Sequence, residues 1–242
     1  MSRALYHLIK DYVPQNHTRQ IAPEYYVDYV LKQNHGLRLV MDLGCGEGDS
    51  LDYFRAKDPH IKWIGLDVEQ SPAVEARTRT DAEFYTFDGI HIPFDDNYFD
   101  LIYCHQVLEH VRYPTELLKE VHRVLKPNGY FVGSTSQLEP YHTYSFWNYT
   151  PYGFLLLIEE VGLQLVEIAP SIDGLTLIIR QGLGGPKFFS RWWKKESPLN
   201  RVINLSGRIM RKDAPWINAA KLAFCGQFSF LVRKSKPSSP QA

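Results

Sequence analysis

Leu39-Val40-Met41-Asp42-Leu43-Gly44-Cys45-Gly46-Glu47-Gly48 decides how the rest of this 242-residue chain is read. Its apolar residues predict a short buried strand, Leu39 to Leu43, breaking into a glycine-rich turn and then a helix. Such a turn brings backbone N–H groups against a ligand with no Cβ in the way. A dinucleotide fingerprint G-x-G-x-x-G starting at Gly44 needs glycine at 49, where the chain has Asp49. Asp42 and Glu47 flank the turn and would repel a pyrophosphate, so the ligand expected here carries positive charge.

S-adenosylmethionine has that character, with a sulfonium, an α-ammonium and no phosphate. Asp42-Leu43-Gly44-Cys45-Gly46-Glu47-Gly48 resembles the D-x-G-x-G-x-G motif of the class I methyltransferases that use this cofactor. The strands that follow keep the resemblance. Ile61 to Asp67 predicts a second strand ending in a carboxylate, placed to accept both ribose hydroxyls of an adenosine. Glu83 to Phe87 is a third strand followed by Asp88-Gly89, where the family implies an acid for the adenine amino group. Pro93-Phe94 through Phe99-Asp100 and a fourth strand, Leu101 to Cys104, are similar to the small-molecule branch of the family. So is Leu125-Lys126-Pro127-Asn128-Gly129 before a fifth strand, Tyr130 to Thr135, and the resemblance spans about Arg38 to Thr135. It implies cofactor contacts at Asp42, Gly44, Cys45, Gly46, Asp67, Val68, Asp88, Gly89 and His105.

It also implies a Rossmann-like α/β fold, a seven-stranded, mostly parallel sheet whose last strand is antiparallel. Residues 1–36 read as a helical prelude, with Tyr26, Val27, Val30 and Leu31 on one helix face. The methyltransferase domain is expected over 37–235, with an insertion at 175–222 before a last strand over Phe224 to Val232. Residues 236–242 read as a disordered tail. His105, Glu109 and His110 lack the order of an H-E-x-x-H helix, and no metal site is expected.

The stretch Gln137 to Pro151 is rich in aromatic residues and leaves the carboxyl end of a central strand, where open α/β sheets bind ligands. Tyr141, Trp147 and Tyr149 are the candidate substrate wall; a packed lid without substrate contacts is the alternative. His142 is the first candidate for a general base, because imidazole titrates near neutral pH, and Glu139 is the second.

Hydrophobic content of 44% and charge of 22% describe an ordinary globular chain with neither a low-complexity nor a membrane-spanning composition. With no signal sequence at Met1 to His7 and no run near ~18 apolar residues, a cytoplasmic location is expected. Cys45, Cys104 and Cys225 are widely spaced and suggest neither a disulfide nor a metal. The zero net charge hides a split. Residues 1–179 hold 14 Lys/Arg and 25 Asp/Glu, a balance of −11, and residues 180–242 hold 13 and 2, a balance of +11. In 187–212, Phe188, Phe189, Trp192 and Trp193 mix with Lys187, Arg191, Lys194 and Lys195, then Arg201, Arg208, Arg211 and Lys212. That pattern suits an anionic membrane surface, with peripheral attachment, or a lipid-linked substrate; packing on the acidic body of the chain is the plain alternative.

The expected activity is methyl transfer to an O or N atom of a small polar acceptor, such as a sugar or a lipid- or nucleotide-linked sugar. An RNA methyltransferase using the basic segment and a catalytically silent cofactor-binding partner protein are the alternatives. An N-P-P-[YF] tetrapeptide, typical of enzymes that methylate nucleic-acid amino groups, is absent; Cys104-His105-Gln106-Val107 stands there.

Overall fold

A computed structural model of the protein describes residues 3–142 and 144–236. Helices α1 (Arg3–Ile9) and α2 (Glu24–Gln33) precede β1 (Leu39–Leu43), and α3 (Ser50–Lys57) leads to β2 (Lys62–Val68). A short α4 (Pro72–Ala76) precedes β3 (Glu83–Phe87) and β4 (Phe99–His105). Helix α5 (Pro114–Val124) runs into β5 (Leu125–Ser136), and α6 (Pro151–Glu160) into β6 (Gln164–Pro170). The insertion then supplies α7 (Gly174–Gly182), α8 (Arg191–Lys194), α9 (Pro198–Ile209) and α10 (Ala214–Leu222) before β7 (Gln227–Arg233).

The seven strands form one sheet in the order β3-β2-β1-β4-β5-β7-β6. All pairs from β3 to β5 are parallel, while β7 runs antiparallel to both β5 and β6. Side chains alternate between the faces of a strand, so the short apolar run of β1 serves two cores at once. Val40 joins Trp63, Leu101, Tyr103 and Val132 under α2 and α3, while Met41 and Leu43 join Ile64, Ile102 and Phe131 under α5 and α6. Burial on both faces explains why β1 reads as a nearly continuous apolar run.

The prelude is packed rather than set over a ligand. Tyr26 is buried and donates to Glu167 on β6, and Tyr53 from α3 donates to Asp28 on α2. Leu125 to Gly129, which resembles a helix stop, already pairs as the start of β5, with a bulge between the Phe99 and Leu101 registers absorbing the irregularity. The last strand begins at Gln227 instead of Phe224, because Asp173 bridges Cys225 and α10 runs on to Leu222. No helix among the described residues is long and apolar enough to cross a membrane. The tail expected over 236–242 lies, from 237 on, outside the described residues.

Candidate active site

The carboxyl ends of β1, β2, β3 and β4 open into one cleft of about 1030 Å³. Its floor is the glycine turn. Gly44, Gly46 and Gly48 all have positive φ, at 75°, 50° and 85°, a region that side-chain-bearing residues rarely occupy. Space is a second constraint at Gly44, where a Cβ would sit 2.3 Å from the Val107 Cγ2 atom. The turn is tied to the neighbouring strand by Gly44 N–H donating to the Leu66 carbonyl at 2.7 Å.

Asp67 completes the tie. One carboxylate oxygen accepts from Gly46 N–H at 2.7 Å and the other from Val68 N–H at 2.8 Å. Each oxygen keeps a lone pair toward the cleft, which Asp67 lines together with Gly44, Gly46 and Val68. Arg77 braces the turn from outside, donating to the Gly46 carbonyl while its guanidinium lies 4.0 Å from the Phe84 ring centroid. Asp88 and Gly89 stand further along the wall. Asp88 accepts from Ile90 and His91 N–H and pairs with the His91 ring at 2.6 Å, which holds its carboxyl down at about 2.

Asp42, Cys45 and His105 do not line this cleft. Asp42 is buried beneath the turn and accepts from Ser50. Burial pushes its carboxyl up to about 7, with the Ser50 bond pulling the other way. The Cys45 side chain turns into the core beside Gly65 and Phe84 and raises its thiol pKa by burial, so only its backbone belongs to the turn. His105 stands beside the Tyr103 ring, 6.1 Å between centroids, on the side of the sheet where Tyr103 meets Glu24.

Two other aromatic residues of the 137–151 segment border the cleft. Tyr144 and Phe146 line the cleft, with Gln106, Val107 and His110 to Tyr113. Tyr141 is 77% exposed, Trp147 donates its indole N–H to the Val111 carbonyl, and Tyr149 donates to the Leu108 carbonyl. Those two polar tips pin the segment onto the chain at Leu108 and Val111; Tyr144 and Phe146 border the cleft while staying 71% and 56% exposed. His142 packs edge-on against His110, 5.1 Å between ring centroids. Glu139 lies behind, bonded to Ser136 and Gln227, in a second cavity of about 570 Å³ shared with Pro140, Asn148 and Ile178.

The sequence reading missed Gln70 to Ala73 and Glu75 around α4, which close the adenosine side of the cleft, and Arg112 and Tyr113 opposite. Ser71, an N-cap with Pro72 behind it, was the available signal for α4. Nothing in the sequence pointed to Arg77 or Val107.

The cleft therefore has the parts of an adenosyl site, and its charge agrees: Asp67, Glu75 and Asp88 against Arg112. A family model described as a methyltransferase domain, Methyltransf_11, matches residues 41–133, from β1 into β5. That stretch is similar to a methyltransferase domain. An uncharacterised methyltransferase of Schizosaccharomyces pombe is 31% identical over 134 residues, 50% of this chain and 48% of that one. A ubiquinone biosynthesis O-methyltransferase of Yersinia enterocolitica is 28% identical over 118 residues, 45% of this chain and 48% of that one. The chain spans about half the length of these curated relatives. A Haloferax volcanii methyltransferase, solved in complex with the Trm112 methyltransferase activator, superposes with a TM-score of 0.55. It is 20% identical and the match covers 88% of this chain and 90% of that one, a likeness of fold. The methyltransferase fold is thus the whole seven-stranded sheet, and the cofactor of this class is S-adenosylmethionine.

Proposed function

We propose that this protein transfers the methyl group of S-adenosylmethionine to an oxygen or nitrogen of a small polar acceptor. The observation that carries the reading is Asp67, whose oxygens bind the glycine turn and still face an acid-lined cleft. The cofactor supplies a methyl already activated on a sulfonium, which an acceptor lone pair takes as the C–S electrons return to sulfur. Asp67 would hold the ribose hydroxyls and Asp88 the adenine amino group, while the acidic lining favours a cation over a phosphate. Tyr144 and Phe146 would cover the acceptor and exclude water, so that positioning supplies much of the rate. An acceptor proton has an imidazole to go to, with His142 behind His110 as base and Glu139 the second choice.

For the acceptor, the fold favours an amphiphile over a free metabolite. Leu175, Ile178, Ile179 and Leu183 form an exposed stripe along α7, and Val202, Leu205 and Ile209 another along α9, which packs against it. Ile209 is 73% exposed and Leu205 62%, a pattern opposite to that of a helix facing its own core. Arg201 and Arg208 flank the α9 stripe, and Lys187, Arg191, Lys194, Lys195, Arg211 and Lys212 are exposed nearby. Among the described residues the one ion pair of the insertion is internal, Lys221 with Glu196, so no direct ion pair ties this charge to the acidic body. Gln181 on α7 donates to the Tyr141 carbonyl, which joins the stripe to the segment carrying Tyr144 and Phe146. An anionic membrane bearing a lipid-linked sugar fits apolar and basic groups on one face.

The test follows label from S-adenosylmethionine into lipid extracts, soluble metabolites and RNA of the same cell lysate. Label in the lipid fraction, stimulated by anionic vesicles, is expected. Label confined to RNA overturns the lipid reading, and no label in any fraction with intact cofactor binding supports the silent partner protein.

A further inference from the structure

Glu109, His110 and His142 come together from the turn after β4 and the segment after β5, and the methyl-transfer reading uses this cluster only as a base. One ligand-capable atom from each lies within 4.8 Å of those of the other two. Glu109 is fully buried, and its carboxylate accepts from Thr135 Oγ1 at 2.9 Å on one oxygen and from Ser136 Oγ at 3.2 Å on the other. His142 Nδ1 lies 3.3 Å from the Pro140 carbonyl, and the His110 ring packs edge-on against the His142 ring. A carbonyl behind the ring fixes the tautomer and leaves the other nitrogen its lone pair, the arrangement that holds metal-ligating histidines.

We propose that Glu109, His110 and His142 bind a divalent first-row metal ion at the acceptor side of the cleft. Two imidazoles with one carboxylate suit zinc and its neighbours, whereas magnesium prefers an all-oxygen octahedron. Three protein ligands leave a coordination position open, as in catalytic zinc sites. Zinc ligands sit about 2.0–2.2 Å from the ion and so roughly 3.3 Å apart. His110 lines the cleft itself, so the open position faces the space walled by Tyr144 and Phe146. There the ion would bind an acceptor hydroxyl and release its proton to water, leaving both imidazole lone pairs on the metal; this use rests on the methyl-transfer reading, while ion binding does not. Spacing along the chain does not bring these residues together, since His142 is 32 positions beyond His110 and reaches it only through the fold.

The experiment is titration of the chelator-treated full chain with zinc against a chromophoric competitor, repeated with cobalt for its visible absorption. One equivalent is expected to bind, with a cobalt spectrum below six-coordination. His142→Ala and His110→Ala should each weaken zinc at least tenfold and the double variant should abolish the site, all three keeping the wild-type melting temperature without metal. Unchanged stoichiometry and affinity in the double variant would mean surface histidines are responsible and overturn the proposal, as would magnesium binding as tightly as zinc. S-adenosylmethionine calorimetry on the same samples separates the readings. Cofactor binding without zinc sinks this inference alone, and zinc binding without cofactor sinks the methyltransferase assignment alone.

Discussion

Replacing Asp67 tests the cofactor site at its most exposed assumption. In the structure its oxygens accept from Gly46 N–H at 2.7 Å and Val68 N–H at 2.8 Å, so the residue both shapes the turn and presents acceptors to a ribose. Hydrogen bonds to a charged group contribute roughly 1.5–3 kcal/mol each. Asp67→Ala removes the two ribose contacts and slackens the turn, and a loss of about 3 kcal/mol, roughly 150-fold in Kd, is a conservative expectation. Asp67→Asn keeps one acceptor but turns an amide N–H₂ toward a backbone donor, and should fall between the two. Calorimetry with S-adenosylmethionine and with its demethylated product distinguishes cause. Both carry the ribose and only one the sulfonium, so a ribose role predicts equal losses for the two ligands. Affinity within threefold of wild type, in a variant that melts normally, refutes the assignment. A loss confined to the sulfonium ligand would show that Asp67 acts by charge and refute the hydroxyl argument.

Other outcomes follow from single contacts. Gly44→Ala should destabilise the fold, since its Cβ would meet Val107 Cγ2 at 2.3 Å on a backbone with φ 75°; Val107→Ala should recover the steric part, measured as a double-mutant cycle in urea. Asp42, held at about 7 in the fold against an ordinary value of 3.8, favours the folded state only while protonated. Its contribution is therefore full below pH ~4 and lost as pH rises through ~7, by up to about 4 kcal/mol; Asp42→Asn should flatten that slope in denaturant melts at pH 5 and pH 8. Tyr144→Ala and Phe146→Ala should lower turnover tenfold or more with cofactor affinity kept, while Tyr141→Ala, which removes a side chain outside the cleft lining, should change neither turnover nor cofactor affinity. Changing Lys194, Lys195, Arg211 and Lys212 to Gln should abolish flotation with anionic vesicles, at about 1 kcal/mol per residue; unchanged flotation removes the membrane reading.

Much of the fold was legible because its marks are local. The Gly44-Cys45-Gly46-Glu47-Gly48 turn, the terminal acids Asp67 and Asp88, and the apolar runs of β1, β2 and β4 each declare themselves within a few residues. What the sequence could not assign depends on which way one segment swings. From Tyr141 to Tyr149 every second or third residue is aromatic, and period alone favours none of them. Tyr144 and Phe146 border the cleft, while Trp147 and Tyr149 bond to the carbonyls of Val111 and Leu108, thirty-six and forty-one positions away. In the insertion, Trp192 carries Arg191 and Arg201 over its own ring, and the exposed apolar surface runs from Leu175 on α7 to Ile209 on α9, so it starts before 187–212 and continues through it. A helix with a strong apolar stripe looks the same in sequence whether that stripe faces a core or the outside.

The position of β7 sets the order in which the molecule can be completed. It is the last strand in the chain and the sixth in the sheet, buried along nearly its whole length, and it alone joins β6 to the rest. Ser134 must wait for Ser229, and Ala169 for the same residue, so both partners stand with unpaired edges until β7 has been made. The parallel half from β3 to β5 can assemble with the nascent chain, and the cofactor turn with it. Closing the other half requires threading one late strand between two that are already waiting, a long loop closure that makes the final step slow. A ribosome stalled inside the insertion would therefore release a chain with its parallel half in place but exposing β5 as a template for other strands, which makes the interval before β7 is made the moment at which this fold most needs a chaperone.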